Sequence, residues 1–429
     1  IRATSENEDR YLINVDSLFK SEAMGQIKPS QRPNQKPWSH FSLGKLSGAK
    51  TRIAEINNYP ENLSIVVNYT YHDEAPMNRG SGFYVTDPRN VTVQLQHSLL
   101  AMPVNDYKPR FDDARVGYFL DHVDDMTSDS ATPWRDMIRR WYLVKQDPEA
   151  DVSEPVTPIT WWIENTTPEQ FRPIIQKAAE SWNIAFEAAG FKNAIQVKTQ
   201  PDNAGWDAGD IRYNVLRWTS SPRPVFGGYG PSFSNPRTGQ ILGADIMLEY
   251  SFLTNRLAQG DILGASVGAV QTEITDAMAD MSEHEAECSL ASNLQLNNML
   301  GQTLQLALRG NNKDNQKLLE QSLYYLIVHE IGHTLGLTHN MKASQSRSYK
   351  TVHSIDAQSD GLLASVMDYP SINFAPKGEK QAYYYTVRPG AYDIWAIEFG
   401  YSPALDDPEK REKHLSRSTE PDLVYGNDA

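Results

Sequence analysis

Residues 322–337, SLYYLIVHEIGHTLGL, are apolar almost all round a helix, and a helix of that kind has to be buried. A buried helix carrying two histidines and a glutamate leaves few folds open. Only ten histidines occur in the 429-residue chain, yet three of them fall within HEIGHTLGLTHN at 329–340. Positions i and i+4 of a helix lie one turn apart on the same face, so His329 and His333 can aim both imidazoles at one point. Glu330 is rotated about 100° from His329, close enough to work beside a bound ion without ligating it. Gly336 falls where a helix needs a residue tolerant of left-handed geometry, and the turn beyond it can bring His339 back as a third ligand. Three neutral imidazoles leave one tetrahedral position for water, the open geometry of a catalytic Zn2+. Histidines that merely face solvent are the plain alternative, but five fixed positions with mutually explanatory roles rarely arise idly.

The spacing HExxHxxGxxH resembles the motif of the metzincin clan of zinc metallopeptidases. SVMDYP at 365–370 resembles the Met-turn that follows it in that clan. The resemblance implies that Met367 forms an apolar floor beneath the metal. It further implies that Tyr369 is the tyrosine some metzincins place near zinc, as a switchable ligand and transition-state donor. The order of strand, long helix, strands, histidine helix, turn and late helix (RPGAYDIWAIEFGY) resembles a metzincin catalytic domain from about 155 to 400. WNIAFEAAGF, DIRYNVLRW and RVGYF are similar to a large bacterial family of zinc-dependent met-zincins whose flanking domains have no known function. That likeness implies an extracytoplasmic location: periplasm, cell envelope or secreted.

The activity implied is that of a zinc-dependent endopeptidase holding one Zn2+, with Glu330 passing a proton from water to the leaving amine. A protein or peptide substrate would lie extended, adding a strand to an exposed edge within Gly239–Glu249. A gluzincin-like peptidase would take a downstream glutamate as third ligand, and His339 argues against it. A catalytically silent zinc-containing binding module of the cell envelope has no need of Glu330.

The rest of the chain sets the surroundings. A net charge of -14 argues against nucleic acid as partner. No apolar run approaches the roughly 18–20 residues a transmembrane segment needs. The lone cysteine, Cys288, excludes an intramolecular disulfide and a thiolate zinc cluster. Residues 1–150 read as a β-rich N-terminal region of unknown role, and DPEADVSEPVTP at 147–158 as a linker. Beyond it the expectation is an α+β domain, a twisted mixed sheet backed by helices. TTPEQFRPIIQKAAESWNIAFEAAGF reads as one long helix with Thr167 as N-cap, Pro168 in its first turn and Gly190 as its stop. Residues 251–322 read as a helical insertion, and 401–429 as a C-terminal tail leading into a further segment. Asp202, Asp207 and Asp210 offer a conceivable Ca2+ loop, although their spacing is not that of an EF-hand and solvated turn aspartates fit better. Asn340 suits either a hydrogen-bonding role behind a ligand or a turn. His353 reads as a surface residue. RFDDARVGYF at 110–119 is an extended segment whose paired aspartates suggest an inhibitory strand across the cleft.

Overall fold

The computed structural model describes residues 3–4, 11–28, 43–76, 85–220, 228–249, 290–311, 313–350, 352–354 and 361–428. Contacts divide the chain into two units, residues 1–103 with 209–211, and residues 104–208 with 212–429.

The first unit is built on three antiparallel strands, Arg52–Asn58, Asn62–His72 and Asn90–Leu100, with the middle one paired on both sides. Alternate residues of a strand face opposite ways. Ile65, Val67, Tyr69 and Tyr71 accordingly point to one side, where they close a small core with Phe19.

The second unit holds the histidine motif. Its main sheet has five strands in the order Ile195–Thr199, Ile159–Ile163, Asn214–Thr219, Ile246–Glu249, Gly228–Tyr229. The first four run parallel, and the two-residue strand Gly228–Tyr229 lies antiparallel on Ile246–Glu249. Parallel strands are buried on both faces and need crossover connections. ITWWI and NVLRWT carry the matching apolar runs, and the helices between Ile159–Ile163 and Ile195–Thr199 supply one crossover. With the helices, these mixed sheets make the α+β architecture expected from the sequence.

Several expectations need correction. The long helix is broken. A 3-10 turn at Glu169–Phe171 leads into Arg172–Glu180, and a second helix, Asn183–Ala188, follows. Thr167 is buried and makes no cap; Pro173 stands in the first turn instead of Pro168. At the break the indole of Trp182 donates to Val328 O at 2.9 Å, which ties this layer to the histidine helix. Gly190 does end the run, at φ +94. The stretch 147–158 is no junction between the units. Bridges from Lys145 to Pro155 and from Ser153 to Phe191 fasten it into the second unit, which already includes residue 104. Proline and acidic residues mark a surface edge as readily as a linker.

Residues 401–428 are likewise no loose tail. They form the helix Pro408–Leu415, capped by Asp407, and bury Leu415 and Leu423 in the main core. Of the expected insertion at 251–322, residues 251–289 lie outside the described residues, while Leu290–Leu304 is helical. His353 is buried and hydrogen-bonded to Glu379. Among the described residues, no helix is long and apolar enough to cross a membrane.

Candidate metal centre

The histidine helix spans Asn315–Thr334, and every residue from Gln321 to Leu337 is buried. Its end is a Schellman motif: Leu337 N–H donates to Gly332 O and Gly336 N–H to His333 O, with Gly336 at φ +100. The last carbonyls find partners from outside the helix. Thr334 O accepts from the Trp141 indole at 2.8 Å, Leu335 O from the Tyr401 hydroxyl at 2.8 Å, and Gly336 O from Phe119 N at 2.7 Å. Segments from both ends of the second unit thus hold the point where the chain turns.

The turn delivers what the spacing implies. Nitrogens of His329, His333 and His339 lie within 4.8 Å of one another, and ring centroids are 4.7, 4.7 and 5.4 Å apart. In each ring Nδ1 faces an oxygen: Val366 O at 2.7 Å for His329, Leu337 O at 2.9 Å for His333, and Asp428 Oδ2 at 2.7 Å for His339. The carbonyl acceptors place the ring proton of His329 and His333 on Nδ1 and leave their Nε2 atoms as lone pairs when the rings are neutral. Burial, reinforced by the neighbouring rings, holds His329 well below its ordinary value and pushes His333 down to about 3, so neither is cationic at neutral pH.

That assignment tests whether a metal fits. The Nε2 atoms of His333 and His339 stand 3.1 Å apart. His333 presents a lone pair to that gap, and His339, its Nδ1 held by Asp428, turns its Nε2 to the same point. A shared cation suits that arrangement. Three imidazole nitrogens are a donor set suited to zinc.

Around the triad, Met367 is fully buried, and a Cβ added to Gly332 would come within 2.3 Å of its sulfur. The turn containing Met367 is clamped from below. Asp393, in the first turn of the helix Ala391–Tyr401, accepts from Ser365 Oγ, Val366 N and Gly390 N at 2.6, 2.8 and 2.7 Å. Burial pushes its carboxyl up to about 7, against the pull of those three donors. The Tyr325 hydroxyl reaches Val366 O and Asp368 O. Tyr369 places its hydroxyl 2.9 Å from His339 Nε2. Asn340 is buried, takes Met367 O at its backbone N–H and donates its side chain to Val424 O. It therefore stitches three segments together.

Glu330 is fully buried beside the short strand Gly228–Tyr229. A Cβ on Gly228 would sit 2.8 Å from Glu330 Oε1, and one on Gly230 3.0 Å from Glu330 O. These glycines give the carboxylate its room. The alternation in GGYGP carried that signal, since glycine within a strand often marks close approach.

Other sequence candidates lie elsewhere. The stretch Gly239–Glu249 is not an exposed edge. Gln240–Ala244 pairs with Ser232–Ser234 and Arg140–Trp141, and Ile246–Glu249 has a neighbour on each side. Asp113 in the segment 110–119 is held by Arg115, and the segment supports the helix end through Tyr118 and Phe119. Among the described residues, Asp202, Asp207 and Asp210 are not gathered closely enough to share an ion, whereas the three histidines are.

A buried helix with a convergent three-histidine group defines a metal-binding centre of the metzincin type. Residues 311–429 match the family model described as Met-zincin, and residues 1–146 match the model described as a domain of unknown function (DUF5117). The chain thus carries a segment similar to the Met-zincins, with three histidines placed to hold a metal, and a flanking domain of unassigned role. No curated protein and no solved structure is significantly similar to it.

Proposed function

We propose that the protein is a zinc-dependent endopeptidase. The observation that carries this reading is the convergence of three imidazoles, each with an oxygen at its Nδ1. His329, His333 and His339 would hold one Zn2+, which when bound polarises a peptide carbonyl and acidifies water. Glu330 takes the proton of the attacking water on a carboxylate oxygen and returns it to the leaving amine. The Tyr369 hydroxyl, 2.9 Å from His339 Nε2, donates to the developing oxyanion. Met367 is the floor of a Met-turn, and Gly336 is the hinge that returns His339. The peptide is bound extended beside Gly228–Tyr229, the outermost described strand of the sheet next to Glu330. Likeness to the bacterial met-zincins supports an extracytoplasmic setting.

Zinc content and cleavage of a panel of denatured proteins, for wild type and Glu330→Gln, test the reading. Wild type should cleave, and the variant should keep zinc while losing about 10²–10⁴-fold in rate. Equal cleavage by both would dispose of the role of Glu330. Zinc without cleavage by wild type would indicate the silent binding module.

A further inference from the structure

We propose that the carboxylate of Asp428 is the positioning residue of His339, which makes the segment 423–428 a built part of the metal centre; this rests on the zinc reading above. The other two rings are oriented by backbone carbonyls, His333 by Leu337 four residues on and His329 by Val366 of the turn that holds Met367. His339 stands beyond the helix, on the loop that leaves Gly336, and its side chain keeps 15% of its exposure. A loop histidine at the surface has rotamers to choose from. Its Nδ1 meets Asp428 Oδ2 at 2.7 Å, from a residue 89 positions away.

The surrounding bonds impose that meeting. The residues on both sides of His339 are sewn to the same segment. The Thr338 and Tyr425 hydroxyls are 3.0 Å apart, Asn340 Nδ2 donates to Val424 O at 3.0 Å, and Gly426 N donates to Asn340 Oδ1 at 3.1 Å. Met341 N adds a bond to Gly426 O at 2.7 Å. The segment is itself anchored, by buried Leu423 and by the Tyr425 ring stacked on Tyr392. Two residues past Gly426, the Asp428 side chain arrives at the outer nitrogen of His339.

A carboxylate at Nδ1 fixes the tautomer, holds the ring plane and makes Nε2 a stronger donor to a cation than a carbonyl partner would. The Asp428 side chain is 51% exposed, so solvent screens its charge and orientation is the larger part of its effect.

The test uses the full chain as wild type, Asp428→Asn, Asp428→Ala, His339→Ala and Asp422→Asn. Asp422 pairs with Arg347 just before the segment, so that variant controls for general loosening. Zinc dissociation constants come from competition with a chromogenic chelator, and ligand geometry from the visible spectrum of the cobalt-substituted protein. Asp428→Ala should weaken zinc by about 10- to 100-fold and alter the cobalt spectrum. Asp428→Asn, which keeps an acceptor oxygen, should lose less, His339→Ala more, and Asp422→Asn nothing. Asp428→Ala with wild-type affinity and spectrum would overturn the proposal. So would equal losses in Asp428→Ala and Asp422→Asn, since docking of the segment and not the carboxylate would then matter. A wild type that takes up no zinc overturns the parent reading as well, and that failure is distinct from the other two.

Discussion

Replacing Gly336 by alanine asks whether one missing side chain is what lets the third histidine reach the other two. Gly336 sits at φ +100, and a Cβ there would lie 2.0 Å from Arg139 O and 3.0 Å from the Tyr118 ring. The left-handed conformation costs alanine about 1–2 kcal/mol. Forcing a methyl against a backbone carbonyl adds about 1–3 kcal/mol. Reduced freedom of the unfolded chain returns about 0.4–1 kcal/mol. The net loss is therefore about 1–5 kcal/mol. Gly378 separates the contributions, because it has φ +92 and nothing within 4 Å of its Cβ position. Gly378→Ala shares the conformational terms and lacks the clash, so the two variants should differ by about 1–3 kcal/mol in urea unfolding followed by tryptophan fluorescence. The strain also has a direction. Arg139 O belongs to the strand region beneath the helix end, so relief comes from moving the 336–339 turn and with it His339. Zinc affinity should fall in Gly336→Ala and stay at the wild-type level in Gly378→Ala. Equal stability of the two variants, or wild-type zinc affinity in a destabilised Gly336→Ala, would refute the argument.

Two further perturbations probe the surroundings. Burial pushes the Asp245 carboxyl up to about 6. An acid raised in the fold supports stability below its unfolded value, and that support is lost as pH rises through the folded one. Asp245→Asn keeps an oxygen for Val215 N, so it should stabilise by on the order of 1–3 kcal/mol at about pH 8 and hardly at all at about pH 3.5; a melting-temperature gain independent of pH would contradict this. Gly332→Ala would drive a methyl to 2.3 Å from the Met367 sulfur and 2.9 Å from the Trp182 ring, costing about 1–3 kcal/mol. In a Met367→Ala background that cost should shrink, and strict additivity in a double-mutant cycle would show that the two residues do not meet.

Some of the site was legible from spacing alone, because the backbone itself sets the relation. His329 and His333 share a face by helical period, and Gly336 was readable because left-handed geometry admits few residues. The boundary expected near 150 agrees with the end of the N-terminal family match at 146, whereas the compact units divide at 103, because composition does not report contacts. The single helix at 166–190 was misread, since composition does not reveal where packing breaks a helix at Ser181–Trp182.

What the sequence determined by itself was the chemistry and the local geometry: which donors, at which turn of a helix, followed by which kind of bend. Tertiary structure alone decided who orients those donors. Val366 O, the Asp393 clamp, the glycines beside Glu330 and the Asp428 carboxylate come from segments far apart in the chain. Their meeting depends on how the sheet, helices and C-terminal segment pack, and no local period along the chain encodes that.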